Sequence, residues 1–188
     1  MKPDIQRDLM PLDDTVRLIG TLNAMKDKLL DAAHQWELLD GSGNVPDAPS
    51  YTALLQHAAD AQGLSRNICR LTADFARSPH STTRAGSAVL TRLATATTMS
   101  SHAASRFTET AESTLSPRSS NPTVRHYINN RMVMDHASAR AFLRRASESL
   151  RDAAKELDDH LGFHRFLSAL TPRESPVPPP PGPNGRHR

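Results

Sequence analysis

The chain reads as an all-α protein, an up-down-up-down bundle of four long antiparallel helices followed by a disordered proline-rich tail. Three observations predict this class. Apolar residues recur at alternating steps of three and four in four separate segments, the spacing that keeps one helix face turned toward its neighbours. Proline falls between those segments or at their starts, at 46, 49, 79, 117 and 122, where it interrupts no helix. A hydrophobic fraction of 37% with eight aromatics suits a core of Leu, Ala, Met and Ile better than a β-sandwich. At 188 residues the chain is long enough to bury such a core without staples.

The first helix is expected over 13–40, opening at Asp13 or Asp14, whose carboxylates suit the positive end of the helix dipole. Its seam is Leu18, Leu22, Met25, Leu29, Ala32, Trp36 and Leu39. Gly41-Ser42-Gly43-Asn44 ends it. The second helix is expected over 50–77 with a seam of Tyr51, Leu54, Ala58, Ala61, Ser65, Ile68, Thr72 and Phe75, widened by Leu55, Leu64 and Leu71. Ser78-Pro79 breaks it.

The third helix, 82–115, aligns Gly86, Val89, Leu93, Ala96, Ser100, Ala103 and Phe107. Its many Ser and Thr residues are moderate helix formers, so packing must hold it. The fourth, 122–161, starts most clearly, with Asn121 as cap and Pro122 at the first helical position. Its seam is Met132, His136, Ala139, Leu143, Ala146, Leu150, Ala153 and Leu157. After Gly162 a short terminal helix, 163–170, is expected to fold Phe163, Phe166 and Leu170 onto the bundle end. These elements make one domain, 1–170. The tail, 171–188, holds seven prolines in eighteen residues, a composition that gives polyproline II or disorder.

Counting outward from the 116–121 turn puts Ala103 beside Met134 and Ala96 beside Ala141. Small residues of the third and fourth seams then fall at similar heights, which allows close backbone approach. The fourth helix is longer than the first two can cover. Its excess must bend, fray or find a partner.

Net charge is +3, but residues 1–50 carry −4, 51–100 carry +3 and 101–188 carry +4. Arg outnumbers Lys nineteen to four, as in GC-rich bacterial genomes. Arg140, Arg144, Arg145 and Arg151 are the nearest approach to a basic patch, with Glu148 and Asp152 placed to pair with them along the helix. Cys69 is the only cysteine, which excludes an internal disulfide and fits a reducing cytoplasm. Its place beside Ile68 predicts a buried, inert thiol. The opening MKPDIQRDLMPLDD has no signal-peptide pattern, and no apolar run nears the ~20 residues that cross a bilayer.

No G-x-S-x-G or phosphate-binding glycine loop occurs. Asp158 and Asp159, being adjacent, diverge on a helix. Glu109 and Glu112 share a face but read as solvated. His160 and His164 have metal-ligand spacing without the glutamate of HExxH. Histidines 34, 57, 102, 126 and 136 gather toward the end of the bundle that holds the 116–121 turn. That gathering resembles the DinB-like bundles, which place three histidines at one end for a divalent metal. The resemblance is architectural only, since the ligand spacing differs. The seams turn His34 and His102 to solvent and His57 to a flank, and leave His136 as a buried, hydrogen-bonded histidine.

These readings assign no catalytic, cofactor-binding or metal-ligating residue. They lead to the expectation of a cytoplasmic, non-enzymatic protein that works through a protein partner or homo-oligomer, with no membrane contact. A nucleic-acid-associated regulator is one alternative, and a metal-binding DinB-like bundle is another.

Overall fold

The computed structural model describes residues 10–47, 49–116 and 121–170; the expected tail lies outside them. All regular structure among these residues is helical: α1 (Leu12–Gln35), α2 (Tyr51–Arg77), a 3-10 turn (Pro79–Thr82), α3 (Arg84–Ser113) and α4 (Pro122–Leu170). The most extensive packing joins α3 to α4, followed by α2 on α3 and α1 on α4, whereas α1 and α2 scarcely touch.

Helix α2 begins where Ser50 accepts a hydrogen bond from the Ala53 N–H, and α3 where Thr83 does the same for Gly86. Each side-chain oxygen satisfies one of the amides a helix start leaves free. The 3-10 turn crosses so close to α3 that a Cβ at Gly86 would land on the His80 carbonyl. Glycine is therefore a steric requirement there, in addition to its place in the seam.

The seams of α3 and α4 are buried at every expected position, from Gly86 to Phe107 and from Met132 to Leu157. The hydroxyls of α3 bond back onto its own carbonyls, as Thr97 does to Leu93 and Thr110 to Arg106, so its buried Ser100 and Thr110 carry no unpaired oxygen. Others reach across to α2, where Thr72 meets Thr97 and Ser65 meets Ser101, both at 3.0 Å.

The register of α3 on α4 differs from the symmetric count. Arg106 bonds Asp135 at 2.9 Å and the Phe107 ring meets that of His136 at 5.3 Å. Further along, His102 meets Phe142 and Arg92 lies 4.0 Å from Asp152. Partners thus descend along α4 as they ascend along α3. The offset brings Ala103 level with Ala139 and Ala96 level with Ala146. The small residues still coincide in height, about one to two turns from the expected pairing, because the start of α4 overhangs the end of α3.

Helix α1 is shorter than expected, ending at Gln35 instead of 40. Trp36 is already extended, although its N–H still reaches the Ala32 carbonyl. The guanidinium of Arg140 on α4 donates to the Ala33 carbonyl at 2.7 Å, placing a cation at the negative end of α1 and satisfying an orphan carbonyl. Beyond it the Asp40 carboxylate accepts from the amides of Ser42 and Asn44, and Gly43 takes a positive φ of 78° that a side chain would resist. The extended segment buries Leu38 and exposes Leu39, the reverse of the helical expectation. Leu38 joins Leu54, Ala111 and Met132 in a second apolar cluster under this loop.

Helix α4 also departs from expectation. It runs unbroken through Gly162 to Leu170, 49 residues in all, or about 74 Å at ~1.5 Å per residue. One interior glycine costs only about 1 kcal/mol, too little to stop a helix with no proline until Pro172. No separate terminal helix folds back. Leu161 is buried, whereas Phe163 and Phe166 are 53% and 60% exposed.

Candidate functional site

Two regions could carry function: a ring cluster at the end of the bundle that holds residues 36–50, and an open groove between α1 and α2. The cluster draws one side chain from each helical region. Trp36, just past α1, stacks on His57 of α2 at 5.1 Å with 9° between planes. It also meets Phe107 of α3 edge-on at 5.0 Å, and Phe107 meets His136 of α4 in the same manner. The two imidazole centroids lie 6.2 Å apart.

His136 is 3% exposed and its Nε2 has no hydrogen-bond partner; the buried Nδ1 of His57 likewise has none. Burial pushes the His136 pKa down to about 4, helped by His57 and by Arg140. Burial lowers His57 also, against the opposing pull of Asp60. Both rings therefore face each other in the neutral form near pH 7.

Of the five histidines expected near this end, the structure brings only His57 and His136 into contact. His34, His102 and His126 are exposed, and His126 shares a 3.0 Å contact with Asn130. Among the described residues no group of three or more His, Cys, Asp or Glu is placed to hold a metal. His164 has no described side chain. Asp158 and Asp159 are exposed, as is Glu112, while Glu109 is engaged by Arg106 at 2.7 Å.

The arginine group is divided among separate partners. Arg140 is committed to the Ala33 carbonyl, and Arg151 contacts the adjacent Asp152, which also faces Arg92 across the seam. The pairing is local and cross-helical, in place of the expected four-residue spacing. Cys69 is exposed, correcting the expectation of a buried thiol. Helix α2 packs broadly only against α3, so its buried stripe is narrow and excludes the residue beside Ile68.

Two features escaped the sequence reading. Asp135 is a nearly buried carboxylate held by Arg106 and by Arg131 at 3.6 Å. The Trp36–His57–Phe107–His136 cluster was legible in principle, because Phe107 and His136 are both seam residues. Only the offset register puts them at one height.

The second region follows from the sparse α1–α2 contact. A groove opens between these helices in two stretches. One, of about 460 Å³, is floored by Ala32, Trp36 and Leu64. The other, of about 600 Å³, is floored by Met10, Leu18, Leu71 and Phe75. The second stretch lies at the end of the bundle from which α4 projects.

No known protein family, curated protein or solved structure matches this chain. Among the described residues, no helix is long and apolar enough to cross a membrane.

Proposed function

We propose that the chain is an up-down-up-down bundle with a proline-rich tail that acts without catalysis, by binding protein through its surface. The observation that carries this reading is the projection of α4. Residues 162–170 continue the helix past buried Leu161 with two phenylalanines turned largely to water. Leaving two large rings exposed forgoes about 1.5–3 kcal/mol each of burial free energy, and an exposed apolar helix face is a common docking element. The ring cluster supports the same reading as scaffold: its aromatic contacts bind four chain segments together, with His136 buried and His57 half-buried among the rings. The single cysteine fits a reducing compartment, the cytoplasm in this proposal.

Light scattering on the full-length chain, with copurification of a reproducible stoichiometric partner from its native cell, tests the proposal. A defined homo-oligomer or a partner lost on Phe163→Ser/Phe166→Ser substitution is the expected result. A strict monomer that retains no partner under either condition overturns it.

A further inference from the structure

Two buried imidazole nitrogens without hydrogen-bond partners, Nδ1 of His57 and Nε2 of His136, belong to helices that share no extensive contact. Helix α3 packs on both α2 and α4, and α1 packs on α4. The histidines therefore meet across the bundle, with the Trp36 and Phe107 rings packed beside them. Folded interiors pair buried polar atoms almost without exception, so two orphans in one cluster call for a common partner.

Ring spacing narrows what that partner is. With centroids 6.2 Å apart and each nitrogen about 1.2 Å from its ring centre, the two atoms stand no closer than about 3.8 Å, beyond the ~3.2 Å reach of a direct hydrogen bond. A metal ion between two imidazole nitrogens needs about 4 Å, at ~2.0 Å per bond. The spacing thus accommodates one ion in a near-linear bridge.

The surroundings select the ion. Burial keeps both rings neutral near pH 7, so each has one nitrogen lone pair to give. Zinc takes three or four protein ligands, and no third His, Cys, Asp or Glu joins this pair among the described residues. Asp135, next in sequence to His136, is engaged by Arg106. Arg140 adds positive charge close enough to act on His136, which opposes a divalent ion more than a monovalent one. Cuprous copper carries a single charge, binds imidazole and accepts two ligands in a line. Trp36, stacked on His57, and Phe107, edge-on to His136, hold the pair in place and surround it with apolar surface.

We infer that His57 and His136 form a two-coordinate site for a cuprous ion, which joins α2 to α4 through Nδ1 of one ring and Nε2 of the other. This site lies inside the bundle and stands or falls apart from the docking surface proposed above.

The test uses the full-length chain carrying Cys69→Ser, which removes its one thiol. The protein is titrated with Cu(I), in the absence of oxygen, against a chromophoric Cu(I) chelator. Binding of one equivalent near pH 7 is expected, with a copper X-ray absorption spectrum that shows two nitrogen ligands and no sulfur. His57→Phe and His136→Phe should each abolish this binding, whereas His34→Gln/His126→Gln, at exposed positions, should leave it intact. Should a phenylalanine variant fail to fold, the spectrum of the unaltered site decides. A chain that cannot hold Cu(I) against the chelator overturns the site and assigns the gap to a water. A shell that contains sulfur or more than two protein nitrogens overturns it too, as does copper that a folded His136→Phe variant retains.

Discussion

The α3–α4 seam and the α1–α2 face are built from similar residues and end in opposite states. Along the seam, Ala96, Ala103, Ala139 and Ala146 alternate with Leu93, Leu143 and Leu150, and all are fully buried. Across the α1–α2 face, Leu18, Leu64 and Leu71 are only partly covered. The difference lies in size matching. Small residues at one height let two backbones close on each other, and the leucines between them then fill the remaining volume. Helices α1 and α2 share no such matched row and scarcely touch, and a groove lies between them. Hydrophobic periodicity alone does not distinguish a seam from a groove.

The largest expected contrast is between Leu150→Ala in the seam and Leu71→Ala on the open face. The first removes a fully buried side chain and should cost about 2–5 kcal/mol. The second, already half-solvated, should cost well under half as much. Equal losses in urea unfolding would erase the distinction drawn here. Acid should act selectively on the closed side. His136 has a pKa lowered to about 4 from the 6.5 of an exposed histidine, so the unfolded chain binds its proton first. Its neutral form contributes stability that is complete above about pH 6.5 and is lost as pH falls toward 4, by about 3 kcal/mol. His57 moves in the same direction. A His136→Phe variant should flatten this part of the stability–pH curve, and an unchanged slope would show that the ring is not buried neutral. The smallest effect tests the small residues themselves. Ala146→Leu should force the two backbones apart at a cost of about 1–3 kcal/mol, whereas an unchanged melting temperature would mean that the seam has room to spare.

Much of this contrast was legible in the sequence, and the misses have specific causes. The buried faces of α3 and α4 follow residue by residue from a three-four period, because a straight helix converts spacing directly into direction. Height is another matter. The symmetric count from the 116–121 turn displaced Arg106 from Asp135 and Phe107 from His136, since no local signal says that α4 overhangs the end of α3. Cys69 was misplaced for a related reason: a flank position is buried only if a neighbour covers it, and α2 has one extensive neighbour. Gly162 suggests a stop in the sequence, but a glycine without a following proline is a weak one. The ring cluster went unassembled because it depends on register and on Trp36, a residue the period assigned to a helix that ends one position earlier.

The Arg140–Ala33 hydrogen bond spans 107 positions of sequence, so a carbonyl that α1 leaves unpaired at its end is met by a group from the far end of the folded chain. A chain cut before α4 would lose that donor together with the helix face on which α1 packs. The amino-terminal helix is in this sense finished by the carboxy-terminal one.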